Sequence, residues 1–132
     1  MISAGNEIPQ RDEEIAAQVV DAAYRVHAEL GPGLLESAYE HCLAFELTSR
    51  GLRVGRQVPM PIVYRGETLG AGYRLDLLVE TRIIVEVKAA ADLAPIHQAQ
   101  LLTYLRLSGC RIGFLINFNE RSFKSGLRRF VL

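Results

Sequence analysis

Gly72–Ala89 reads GYRLDLLVETRIIVEVKA, and this stretch decides the fold. Residues i and i+2 of a strand share a face, so alternating side chains mark strands here. Ile83, Val85 and Val87 point one way, and Ile84, Glu86 and Lys88 the other. In the preceding segment Leu75, Leu77 and Val79 oppose Arg74, Asp76 and Leu78. Two short strands are therefore expected, joined by Glu80-Thr81-Arg82. An acid and a lysine inside so apolar a stretch are costly to bury unless they are paired or bind something.

A hairpin with the loop Glu80–Arg82 sets Val79 against Ile83, and counting back sets Asp76 opposite Glu86. Cross-strand partners on one face have Cβ atoms about 4.5–5.5 Å apart. Two carboxylates that close repel unless a cation sits between them. Lys88 is the next residue on that face. Two carboxylates and an ammonium converging on one point suit a hard divalent ion such as Mg²⁺ or Mn²⁺. Such an ion polarises a phosphoryl oxygen and acidifies water, and the lysine is placed to orient that water or to stabilise developing charge. The competing reading is a structural Glu–Lys ion pair in a half-buried hairpin.

Asp76, followed after nine residues by Glu86-Val87-Lys88, resembles the D-x(n)-E-x-K signature of the PD-(D/E)XK nuclease superfamily. More narrowly, the chain resembles small bacterial proteins named for a GxxExxY motif, here Gly33-Leu34-Leu35-Glu36-Ser37-Ala38-Tyr39. The resemblance runs from about Glu13 to Leu132, and Leu75 stands where the superfamily name has proline. It implies a restriction-endonuclease-like α/β core, a mixed sheet flanked by helices. It also implies metal-dependent phosphodiester hydrolysis of DNA or RNA, with Asp76, Glu86 and the carbonyl of Val87 holding Mg²⁺ or Mn²⁺. Glu36 is implied as a third carboxylate, and Lys88 as the residue assisting the attacking water. Gln100-Leu101-Leu102-Thr103-Tyr104 resembles the Q-x-x-x-Y motif of RecB-like members, which implies that Gln100 and Tyr104 position substrate. Tyr39 and Gln57 are further positioning candidates.

At 132 residues the chain is one domain, with residues 1–11 expected as a flexible arm and 12–132 as the folded unit. An apolar fraction of 49% supports a real core. Fifteen basic and fifteen acidic residues balance, with a sequence pI near 6.8. Contact with phosphates must then come from a local patch, not from net charge. This balance favours the alternative function, an inactive nucleic-acid- or protein-binding module on the same fold. A homodimer would supply the reach that one small copy lacks.

Cys42 and Cys110 stand in no metal-ligand spacing and read as reduced thiols of a cytoplasmic protein. No apolar run approaches the ~20 residues that span a bilayer.

Around the hairpin, Ile15, Val19, Ala22, Ala23, Val26 and Leu30 form a helical core stripe, closed by Gly31-Pro32-Gly33. His27 is expected on the surface of that helix. A second helix spans about Leu35–Arg50, with Leu35, Ala38, Cys42, Phe45 and Leu47 as apolar contacts. Glu36, Tyr39, Glu40 and Leu43 share its other face. Leu52–Arg65 is expected as the first strand, bent at Pro59 and Pro61, and Leu69–Glu80 as a central one. A helix from Asp92-Leu93-Ala94-Pro95 to about Leu107 follows, with Leu101, Leu102, Leu105 and Leu107 facing the sheet. Arg111–Phe118 suits a buried strand, Asn117–Lys124 a polar loop, and Leu127–Leu132 a short last strand. Arg121, Lys124, Arg128 and Arg129 form the densest basic cluster, expected as a solvated rim.

Overall fold

The structure is a computed structural model that describes residues 7–70 and 72–132. Its centre is β5 (Ile83–Lys88), buried along its length down to Val87. β-Branched residues that tolerate burial on both faces suit such a middle strand. β5 pairs antiparallel with β4 (Arg74–Val79) in the register Leu77↔Val85, Leu78↔Ile84 and Val79↔Ile83. This is the expected register, with Glu80–Arg82 as the loop. Glu80 and Thr81 both adopt positive φ, 52° and 54°.

On its other side β5 pairs parallel with β6 (Ile112–Asn117), from Ile83↔Ile112 to Lys88↔Asn117. Parallel neighbours need a crossover connection, and α3 (Pro95–Ser108) supplies it. β1 (Val54–Pro59) and β7 (Leu127–Val131) complete the sheet in the order β1-β4-β5-β6-β7.

The sheet separates two cores. Under α1 (Gln10–Leu30) and α2 (Glu36–Ser49) lie Leu77, Val79, Ile83, Val85, Val87 and Phe114, packed against Val19, Ala22, Ala23, Leu43 and Leu47. Under α3 lie Leu75, Ile84 and Leu115 with Leu101, Tyr104 and Leu105. Burial of these groups contributes on the order of 25 cal/mol per Å² of apolar surface. The result is an α/β domain with a mixed sheet flanked by helices, a restriction-endonuclease-like arrangement.

Several local expectations are corrected. Leu75 does not share a face with Leu77: it packs under α3, and Leu77 packs under α1 and α2. Alternation breaks at Asp76, opposite Gln57, whose φ is +51°. The ladder pairs Arg56↔Leu77 and Val58↔Leu75 but skips the position between them. The expected strands Leu52–Arg65 and Leu69–Glu80 are each divided. β2 (Ile62–Tyr64) and β3 (Glu67–Leu69) form a separate hairpin, turned at Arg65 and Gly66 with φ of 49° and 82°. Pro59 and Pro61 bracket the break on one side, and Gly70 and Gly72 bracket it on the other.

α2 buries Tyr39, Glu40, Leu43, Ala44 and Leu47 and exposes Phe45 at 72%, while Leu35 stands just before the helix at 76%. Apolar residues lie all round this helix, so periodicity alone selects no inner face. On α3, Leu107 is exposed and Tyr104 is buried. His27 is buried, 2.7 Å from the Glu120 carbonyl to which Nε2 donates, and stands beside Phe118 and Phe123. α1 starts at Gln10 and Ile8 already packs on the core, so the end of the expected arm is structured. Residues 1–6 of that arm lie outside the described residues.

The expected loop after β6 contains α4 (Phe123–Gly126). Arg128 turns to the carbonyls of Ser125 and Leu127, and Arg129 pairs with Glu13 at 2.9 Å. Both cysteines are free, and no described helix is long and apolar enough to cross a membrane.

A Cβ on Gly126 would overlap the carbonyl oxygen of Asn117, at the end of β6. Gly126→Ala is therefore expected to cost about 1–3 kcal/mol or more. Thermal or urea unfolding monitored by circular dichroism checks it, and an unchanged midpoint would refute the packing described.

Candidate active site

The β4–β5 hairpin is tied at its open end by two side-chain-to-backbone hydrogen bonds. The Asp76 amide donates to Glu86 Oε2 at 2.9 Å, and the Val87 amide donates to Asp76 Oδ2 at 2.8 Å. Each acid thus accepts from the opposite strand just beyond the last ladder pair. The structure brings Asp76 and Glu86 together at the point where Asp76 leaves regular alternation.

Glu86 is 3% exposed and its pKa is raised to about 8. Burial is the first cause and repulsion from Asp76 the second, opposed by the Asp76 amide and by Lys88. Asp76 is raised by burial and by Glu40, against the Val87 amide, Lys88 and Gln57. Lys88, half-buried at the end of β5, acts on both acids through its charge, with no ion pair within 4.0 Å among the described residues. Its strand partner Asn117 fixes the chain beyond it. The Asn117 side chain accepts from the Ala90 amide at 3.1 Å and donates to the Ala90 carbonyl at 3.0 Å.

The α2 acid that reaches this pair is Glu40. Gln57 Nε2 donates to Glu40 Oε1 at 2.7 Å and to Asp76 Oδ1 at 3.3 Å, so one amide joins two carboxylates. Arg56 donates to Glu40 Oε2 at 3.1 Å. Glu36, the carboxylate expected here, is exposed one turn earlier on α2. One helical turn is about 5.4 Å of rise, which sets Glu36 beyond the buried stretch that faces the sheet. Sequence reasoning had Glu40 on the same stripe as Tyr39 and Leu43. The signal that could have found it is that both neighbours are core residues.

Tyr39 does not point to a carboxylate. Its hydroxyl donates to the Gly31 carbonyl and accepts from the Leu34 amide at 3.1 Å, and its ring stacks on Phe118 at 4.7 Å. Tyr39 therefore ties down the loop between α1 and α2, which corrects the expected positioning role. Tyr104 packs under α3 with Leu75 and Ile84, and the charges of Glu86 and Asp76, after burial, raise its pKa. Gln100 is half-buried one turn before it, and the two side chains line one cleft beside α3.

Among the described residues no group of three or more His, Cys, Asp or Glu stands ready to hold a metal. The donor chemistry nevertheless fits a hard cation. Asp76 and Glu86 would supply oxygen ligands, and the Asp76 charge raises the cost of charging Glu86, a repulsion that a bound cation would offset.

A mixed sheet with an acid pair on its central hairpin and a lysine beside it defines a nuclease-like α/β domain. The chain belongs to the PD-(D/E)XK nuclease superfamily, whose family model matches residues 13–130. No significant match was found among curated proteins or among solved structures. Members of this superfamily generally use divalent metals and act on nucleic acid.

Glu86 sets a pH signature. Its folded pKa of about 8 lies above the ordinary 4.5 of an unfolded glutamate, so the folded chain keeps a proton that the unfolded chain releases. Stability of the metal-free protein is therefore expected to fall as pH rises from about 4.5 to about 8. Glu86→Gln should flatten that fall and raise the melting temperature at alkaline pH. Melting curves across the range test it, and parallel profiles for the two proteins would refute the assignment.

Proposed function

We propose that the domain hydrolyses phosphodiester bonds of nucleic acid with Mg²⁺ or Mn²⁺. The observation that carries the reading is the interlocked Asp76–Glu86 pair beside Lys88, in a chain of nuclease lineage. Asp76 and Glu86, with the Val87 carbonyl, would hold the metal. When bound, the ion supplies charge stabilisation at the phosphoryl group.

Lys88 holds positive charge at the edge of the pair, where it orients the attacking water or meets charge developing on phosphate. Glu40, in place of Glu36, sets the charge around Asp76 through Gln57. Gln57 holds Asp76 Oδ1 and so fixes the carboxylate's orientation. Gln100 and Tyr104 position the strand from the α3 side.

The raised pKa values of both acids are equally the mark of an inactive structural pair, which supports the binding-module reading as the alternative. Neutral net charge supports it too, or supports a homodimer, in which a second copy extends the contact with nucleic acid. Gel filtration with light scattering measures that state.

Divalent-ion-dependent nicking of DNA or RNA is expected, abolished in Lys88→Ala and Asp76→Ala. Wild type and both variants equally inert across substrates and metals would leave the binding module. Calorimetry is expected to show Mn²⁺ binding that Glu86→Gln removes. Among the α2 acids, Glu40→Gln should lower activity about tenfold or more, and Glu36→Gln should leave it near wild type. The reverse order would restore Glu36 to the site.

A further inference from the structure

We infer that the cleft between the β2–β3 hairpin and α3 receives one unpaired nucleobase of the strand under attack, which makes single-stranded or locally unpaired nucleic acid the substrate class. This rests on the nuclease reading above for the position of the phosphate.

The cleft has a volume of about 550 Å³. Ile62 and Leu69 of the hairpin form one wall, and Ile96, Gln100 and Tyr104 of α3 form the other, with Tyr73 between them. Ile96 is 68% exposed, Leu69 47% and Tyr73 45%. Large apolar side chains gathered around one opening, with a few polar groups among them, have the make-up of a ligand cleft. The cleft also adjoins the acid pair. Tyr104 lines it, shares a core cluster with Leu75, which immediately precedes Asp76, and with Ile84, two before Glu86, and feels the charges of both acids.

The chemistry of the cleft selects its occupant. Apolar walls and a half-exposed tyrosine offer faces for stacking, and the Gln100 side chain offers both a donor and an acceptor. A nucleobase has that form, with flat π faces and a polar edge. Stacking on aromatic side chains is how proteins hold single strands without reading sequence. A base inside a duplex has its faces stacked and its edge paired, and it enters such a cleft only if extruded.

The test is a titration of the full chain into an oligonucleotide carrying a fluorescent aminopurine base, single-stranded or within a duplex. The chain has no tryptophan, so the signal belongs to the base. The single strand should lose fluorescence on binding, and the fully paired duplex should respond weakly. Ala99→Phe, which fills the cleft from the exposed side of α3, and Tyr73→Ala should each weaken binding about tenfold with the circular dichroism spectrum unchanged.

No response to the single strand, equal response to the duplex, or an Ala99→Phe protein that binds like wild type would each overturn the inference. A cleft used by a protein partner would give the first of these. Cleavage of the same oligonucleotides separates the two readings. Base binding without cleavage keeps the cleft and removes the nuclease. Duplex cleavage without a base response keeps the nuclease and removes the cleft.

Discussion

The rest of the structure depends on the reciprocal hydrogen bonding of two acids across one hairpin. Glu86 accepts from the backbone of Asp76, and Asp76 accepts from the backbone just after Glu86. Buried carboxylates are expensive unless their oxygens are satisfied. Here strand amides near the end of the ladder, donors that would otherwise need partners themselves, provide the satisfaction. The arrangement removes one electrostatic problem and leaves another. Each acid keeps its hydrogen bond, yet burial and the nearby Asp76 charge push the Glu86 carboxyl up to about 8.

Around this pair the fold supplies unequal supports. β5 is fixed from both sides, by β4 in antiparallel register and by β6 in parallel register. Beyond Val85 only β6 continues the ladder, so Glu86 and Lys88 are held in register by Leu115 and Asn117. Asp76 lies where the outer strands kink, with Gln57 in a left-handed conformation opposite it. A non-glycine residue there costs on the order of 1–2 kcal/mol. The kink turns Asp76 out of the regular pleat, and it brings the Gln57 amide within reach of both Asp76 and Glu40. Strain at this point is thus coupled to the contact that links α2 to the sheet.

The two faces of the sheet have different tasks. The α1–α2 face is the thicker core, and Tyr39 serves it by holding the loop that precedes α2. The α3 face is thinner, and beside the separate hairpin it opens into a cleft that reaches Tyr104. The hairpin exists because Pro59, Pro61, Gly70 and Gly72 interrupt what would otherwise be two long strands. Those interruptions move an apolar wall off the sheet and over α3.

The sequence by itself determined the hairpin, its register and the meeting of Asp76 with Glu86. Alternation and loop length are local properties, and they set which residues face each other across a turn. It determined the helical stripe of α1, the crossover through α3 and the buried strand after it, since length and periodicity specify these. Only the tertiary structure decided which α2 acid approaches the pair, because that helix is apolar all round and its inner face is chosen by what it packs against. It likewise decided that Leu75 and Leu77 serve different cores, that His27 is buried and that Phe45 is not. Each of these depends on a neighbour distant in the chain, and one-dimensional periodicity carries no record of such neighbours.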